Sequence, residues 1–145
     1  MRSGQVYLSG LVLKDRDVLV VGGGQVAERR VPRLLAAGAM VRLVSPVLTP
    51  NLTALAADNA FAWTSRPFTD TDLDVAWYAL ALTDDPDVNA AVAAGAERRR
   101  IFCVRGDLAE GGSAWTPATL VGIVNCGRLY VAPPRNTLCN LQSGQ

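Results

Sequence analysis

The hydrophobic positions of the chain fall into short runs separated by polar turns, and the runs alternate between two periods. Asp17 to Val21 begins with an acid and continues as Val18, Leu19, Val20 and Val21, a pattern suited to a strand buried on both faces. From Gln25 to Ala37 the period changes. Val26, Val31, Leu34 and Leu35 share one broad face and Glu28, Arg29, Arg30 and Arg33 the other, which predicts a helix. Pro32 lies inside it and should bend the axis or mark a break, and Gly38 follows as a C-terminal glycine. Val41 to Val44 predicts a second strand, ended by Ser45-Pro46. Strand, helix and strand together occupy about 30 residues, the size of a βαβ crossover.

The same grammar continues. Leu48 to Ala57 predicts a short helix with Thr49 as cap and Pro50 at its first position, and Phe61 to Thr64 a third strand. Asp70, Thr71 and Asp72 suit the start of another short helix. Val75 to Leu82 is a near-continuous apolar run, again fit for a strand covered on both faces. Asp85 and Pro86 then open a helix over Val88 to Arg99, with arginines at the end where cations suit the helix dipole. Ile101 to Val104 is the fifth strand. Tyr7 to Leu13, which alternates loosely, is expected to pack beside the first strand. The alternation predicts an α/β fold, a Rossmann-like doubly wound parallel sheet of about five strands. From Thr119 the pattern weakens: Ile123 to Val131 has some strand character, but Pro133-Pro134 and a polar end suggest a short irregular C-terminal tail. The chain thus reads as a domain over 1–118 and a remainder over 119–145.

Between the first strand and its helix, Gly22, Gly24 and Ala27 fall into the GxGxxG/A spacing of dinucleotide-binding units. Gly22 lets the chain turn tightly off the strand, Gly24 lets backbone approach a pyrophosphate, and Ala27 keeps the helix close to the sheet. A glycine turn alone is weak evidence; the strand before and the helix after supply the context. An acidic residue usually lies about 20 residues further on to bind the ribose hydroxyls. Here Ser45-Pro46 holds that place, so cofactor choice is not readable from it. Arg42 nearby would suit a 2′-phosphate, although the plainer reading is a solvated arginine. Ligands in such sheets bind outside the carboxyl ends of the strands, which draws attention to Gly22–Val26, Thr83–Asn89 and Arg105–Pro117. In the third loop Asp107 stands among glycines and small residues, where a carboxylate can face a ligand or simply bond to its own turn. Asp84 and Asp85 have an equally plain role as helix caps.

Composition narrows the chemistry. With 145 residues, 50% of them hydrophobic and 19% charged, the chain suits a single globular domain. A net charge of +1 gives no global field for nucleic acid or an anionic membrane. No apolar run is long enough to cross a bilayer and no secretion signal is evident, so a cytoplasmic protein is expected. Cys103, Cys126 and Cys139 form no CxxC pair and are odd in number, which argues against a disulfide framework. The absence of histidine removes the commonest metal ligand and the commonest general base. Proton transfer then falls to carboxylates, Cys, Lys, Tyr or water.

VLVVGGGQVAERR, then RPF followed by DLD and AW, then TDDPDVN, ERRRIFCV and Asp107, with Ser113 and Thr116-Pro117-Ala118 behind it, resemble the N-terminal domain of siroheme synthase. That family joins precorrin-2 dehydrogenase and sirohydrochlorin ferrochelatase activities, and the match runs in order from Tyr7 to Ala118. The resemblance implies NAD-dependent oxidation of precorrin-2 to sirohydrochlorin in siroheme biosynthesis, and in many members insertion of ferrous iron as a substrate, with no resident metal. It places the catalytic aspartate at Asp107. It places cofactor contacts at Gly22, Gly23, Gly24, Gln25, Val26, Ala27, Pro46, Val47, Thr83 and Asp84, and substrate contacts at Arg105 and Ser113. The family too lacks a ribose-binding acid after the second strand. The substrate's carboxylates suit paired donors from Arg98, Arg99, Arg100 and Arg105, although the first three read more plainly as a solvated helix end. The family is homodimeric through a region beyond Ala118, where this chain has VGIVNCGRLYVAPPRNTLCNLQSGQ and does not match, so 119–145 is expected to be a divergent or truncated remnant of it. A non-catalytic NAD-sensing module and an inactive fragment are the alternatives; the missing acid counts against the sensor.

Overall fold

The computed structural model describes residues 6–116, and the unit that carries the sheet ends at Trp115. Strands β1 (Asp17–Val21), β2 (Met40–Val44), β3 (Ala62–Thr64), β4 (Tyr78–Ala81) and β5 (Phe102–Arg105) form one parallel sheet in the order β3-β2-β1-β4-β5. Helices α1 (Gln25–Ala36), α2 (Pro50–Ala57) and α3 (Pro86–Arg98) lie between strands, with 3₁₀ turns at Asp70–Leu73 and Ala109–Gly111. The chain runs outward from β1 through β2 to β3, then returns to place β4 on the other side of β1. The order therefore reverses beside β1, and the residues just past β1 and β4 flank the crevice where ligands of such sheets bind.

Alternation along β1 shows why its four apolar residues are needed. Val18 and Val20 pack into one layer with Val31 and Leu34 of α1 and Leu52 of α2, while Leu19 and Val21 pack into the other with Val92 and Ala96 of α3 and Leu73. All four are essentially without solvent contact. A Leu19→Ala cavity at such a site costs about 2–5 kcal/mol.

Local chemistry sets the helix ends. Thr49 Oγ1 accepts the Leu52 N–H ahead of α2, and Asp85 accepts the Asp87 N–H ahead of α3, each followed by proline at the first position. Gly38 closes α1 at a φ of 80°, its N–H donating to the Leu35 carbonyl. Pro32 makes no break, for α1 is continuous around it; the proline sits on the exposed side, where water can serve the carbonyl it leaves without a donor.

Two expectations are corrected. Tyr7 to Val12 do not pack beside β1 but are exposed, and of that segment Leu13 alone joins the core. The reason is topological: β1 already has β2 on one side and β4 on the other, so no edge is open. The apolar run at Val75 is also longer than its strand. Val75 and Trp77 are exposed and β4 begins at Tyr78, because its ladder starts with the Trp77 N–H donating to the Asp17 carbonyl at the beginning of β1. No described helix is long and apolar enough to cross a membrane. The predicted tail over 119–145, with Cys126 and Cys139, lies outside the described residues; Cys103 is a free, buried thiol whose pKa burial pushes up to about 11.

Candidate active site

The glycine turn is fitted by contacts that forbid side chains on one side and leave the other side open. Gly22 adopts a φ of 120°, and its N–H donates to the Val44 carbonyl. A Cβ there would lie 2.6 Å from the Leu82 carbonyl oxygen at the end of β4. A Cβ on Gly23 would fall on the Val47 carbonyl oxygen, and the Gly23 carbonyl in turn accepts the Thr49 N–H at 2.9 Å. Gly24 differs: no heavy atom stands within 4 Å of the place its Cβ would take. Immediately after it, α1 begins at Gln25 with no side chain capping its first N–H groups, and Ala27 is buried against the sheet. An open backbone face, uncapped N–H donors and the positive end of a helix dipole are what a cofactor diphosphate requires, so the residues present fit a dinucleotide.

The end of β2 carries no acid. Ser45 is buried, its hydroxyl donating to the Val47 carbonyl at 2.7 Å and its carbonyl accepting the Trp63 indole N–H at 3.0 Å. Pro46 and Val47 remain exposed beside the glycine turn. Arg42 does not reach this end. It makes a bidentate pair with Asp17, at 2.7 and 2.8 Å, and donates to the Asp72 carbonyl, so its guanidinium lies toward the amino ends of the strands, away from any 2′-phosphate at the turn. A depression of about 440 Å³, lined by Gln25, Glu28, Arg29, Thr49 and Pro50, adjoins the turn. In it the Glu28 carboxyl is held below its usual range by the Thr49 hydroxyl and the Asn51 amide.

The ends of β4 and β5 build the other half from side chains. Thr83 is tied to the first turn of α3: its N–H and hydroxyl both donate to Asn89 Oδ1, at 3.0 and 2.8 Å, and its carbonyl accepts from Asn89 Nδ2 at 2.9 Å. Asp85 caps α3, whereas Asp84 is exposed. Past β5, the Gly106 N–H donates to the Ala81 carbonyl, and a Cβ on Gly106 would lie 2.9 Å from Leu82 Cδ2 and 3.7 Å from Val26 Cγ1. The start of the Asp107 loop thereby lies near Val26 in the first turn of α1. Asp107 itself receives a bidentate pair from Arg105, at 3.0 and 2.8 Å. That guanidinium, before any other influence, brings the carboxyl down to about 2 and keeps it ionised.

Not every residue named from the sequence converges here. Gly22 to Ala27, Thr83, Arg105 and Asp107 gather around the strand ends. Ser113 lies behind them, its hydroxyl accepting the Cys103 N–H at 2.8 Å on the outer edge of β5. Arg98 and Arg99 are paired with Asp70, and Arg99 also with Asp74, in the manner of a helix-end clamp, and Arg100 takes a positive φ in the turn after α3. Sequence reasoning gave no role to Asn89 or Trp63. A polar residue in the first turn of a helix just past an apolar strand is the signal that points to the former.

The NAD_binding_7 family model, an NAD(P)-binding family, matches residues 10–118. The chain is 46% identical over 91 residues to siroheme synthases of Salmonella heidelberg and Salmonella typhimurium, a match covering 63% of this chain and 20% of each relative. The chain thus spans about a fifth of the length of the curated relatives it matches. Among solved structures, SirC, a precorrin-2 dehydrogenase, superposes with a TM-score of 0.57 at 32% identity, over 60% of this chain and 44% of that one. The resemblance to the N-terminal domain of siroheme synthase holds, and the chain belongs to the NAD_binding_7 family of NAD(P)-binding domains.

Proposed function

We propose that the chain oxidises precorrin-2 to sirohydrochlorin, with NAD as the hydride acceptor. The observation that carries this reading is the close fit of Gly106 to Leu82 and to Val26 in the first turn of α1, so that the ionised Asp107 and the glycine turn both stand at the carboxyl end of the sheet. Likeness to siroheme synthases and to a precorrin-2 dehydrogenase supports the choice of substrate.

NAD, when bound, supplies the hydride acceptor. The chain's part begins with the uncapped N–H groups of α1, which hold the diphosphate while Gly24 leaves room for it. Oxidation removes a hydride and a proton from the substrate, and the proton goes to the Asp107 carboxylate. Without histidine in the chain, a carboxylate is the natural acceptor. Arg105 tempers it: while the pair is closed the carboxylate is a weak base. Carboxylates of the substrate compete for the same guanidinium, and each bond they take from it returns Asp107 toward ordinary basicity. Ser113 and the residues beside it would border the substrate from the far side of Arg105.

Insertion of ferrous iron belongs to the same proposal, since removal of pyrrole protons needs the same acceptor. So does pairing with a second copy, which size-exclusion chromatography tests. The assay is direct: the full chain, NAD and precorrin-2 should yield NADH and the absorbance of sirohydrochlorin, and ferrous iron added afterwards should yield siroheme. NAD binding with no affinity for sirohydrochlorin and no turnover would instead support the sensing module.

A further inference from the structure

Asn89 is a fully buried polar side chain on α3, the helix whose Val92 and Ala96 join an apolar layer, and it has no solvent contact at all. Such a group is tolerated only when its hydrogen bonds are met. Here they are met by one residue at the exit of β4: Thr83 gives Oδ1 both its N–H and its hydroxyl proton and takes one proton of Nδ2. The Thr83 oxygen then accepts the Asp85 N–H at 3.2 Å, so the whole exit of β4 is folded onto the start of α3. The same helix turn also meets the β5 exit. The Pro86 carbonyl receives Nη2 of Arg105 at 3.5 Å, the same guanidinium that pairs with Asp107, and after that guanidinium the Asn89 amide also favours the ionised form of Asp107. One buried amide thus stands between the loop that borders the cofactor crevice and the loop that carries the carboxylate.

We propose that Asn89 is a positioning residue for the oxidation, holding Thr83 and Asp107 at a fixed separation across the strand ends. This role rests on the proposed oxidation of precorrin-2 and deepens it. The amide touches neither substrate nor cofactor; it acts through the two loops. A displacement of reacting groups by about 1 Å costs on the order of 10²-fold in rate, which sets the size of the effect. The charged group that faces Asp107 is Arg105 on β5; on the neighbouring α3, Asp85 caps the helix, Asp87 lies in its first turn, and Glu97 lines the same depression as Arg105. All of them are retained in Asn89→Ala and Thr83→Val.

The test uses the full chain with NAD and precorrin-2, comparing these two variants with the unmodified protein across pH, alongside thermal melting. For Asn89→Ala, kcat should fall about 10²-fold while KM for precorrin-2 stays nearly constant, the division expected when positioning rather than binding is lost. Its acid limb of activity should also move to higher pH, because a group favouring the ionised Asp107 is gone. Thr83→Val removes the hydroxyl's bonds to Asn89 and Asp85 from the opposite end while keeping the Thr83 backbone bonds to the Asn89 amide, and should lower kcat about tenfold. Should Asn89→Ala fail to fold, Thr83→Val decides the question. The inference is overturned if Thr83→Val turns over like the unmodified chain, or if folded Asn89→Ala keeps its kcat and its acid limb. Absence of turnover by the unmodified chain would instead remove the proposed function, and this role with it.

Discussion

The two halves of the strand-end crevice are made in opposite ways. Beside β1 and β2 the site is backbone: glycines pressed against carbonyls, free N–H groups and an open face where a side chain would intrude. Beside β4 and β5 it is side chains: Thr83 on Asn89, Arg105 on Asp107, each bond within the ordinary range. The first half is defined by what must be absent, and its demands are steric, set by carbonyls at the ends of β2 and β4 far along the chain. The second is defined by partners that have to meet within their own loops, and its demands are electrostatic. Diphosphate recognition suits the former, since it needs uniform donors at close approach; proton transfer suits the latter, since it needs one group of adjusted basicity.

Substitution within the glycine turn breaks this contrast most forcefully. Gly22→Ala meets a positive φ and the Leu82 carbonyl together, and should destabilise the fold by about 3 kcal/mol or more, read by urea unfolding. Gly24→Ala, two residues away, meets nothing within 4 Å. It should leave stability within about 1 kcal/mol, yet weaken NAD binding in calorimetry because the methyl group occupies the ligand's side. If the two glycines proved interchangeable in either measurement, the division between packing face and binding face would be wrong.

Arg105→Gln sharpens the other half. The pair holds the Asp107 carboxyl at about 2, below its ordinary 3.8, so it favours the folded state above that ordinary value and loses the effect as pH falls through about 2. Without the guanidinium, the acid limb of activity should rise toward the ordinary value, and acid unfolding should begin at higher pH. A pH profile identical to that of the unmodified chain would show that Arg105 does not govern the carboxylate. Smaller still is Ser113→Ala, which leaves the Cys103 N–H without its acceptor and should cost about 1 kcal/mol in denaturant unfolding.

What the sequence disclosed divides by the range of its signals. Elements whose signals are local were legible: Thr49-Pro50 and Asp85-Pro86 open helices where expected, Gly38 closes one, and the glycine turn follows a buried strand. What failed depended on distant neighbours. Val75 and Trp77 are as apolar as the strand they precede, but the ladder begins only where Asp17 offers a carbonyl. Tyr7 to Leu13 had no edge to join once β4 returned beside β1. Arg42 found Asp17, 25 positions earlier, rather than a phosphate. Asn89 was visible as a letter at the end of TDDPDVN, but its work depends on the two loops it spans.

The measurement that bears most directly on the account is turnover of precorrin-2 with NAD by Asp107→Asn, with NAD affinity taken on the same sample. A backbone-built cofactor half and a side-chain-built acceptor half should separate: affinity for NAD unchanged, and kcat reduced by about 10²–10⁴-fold, the span of a lost general base. Undiminished turnover in Asp107→Asn would contradict it.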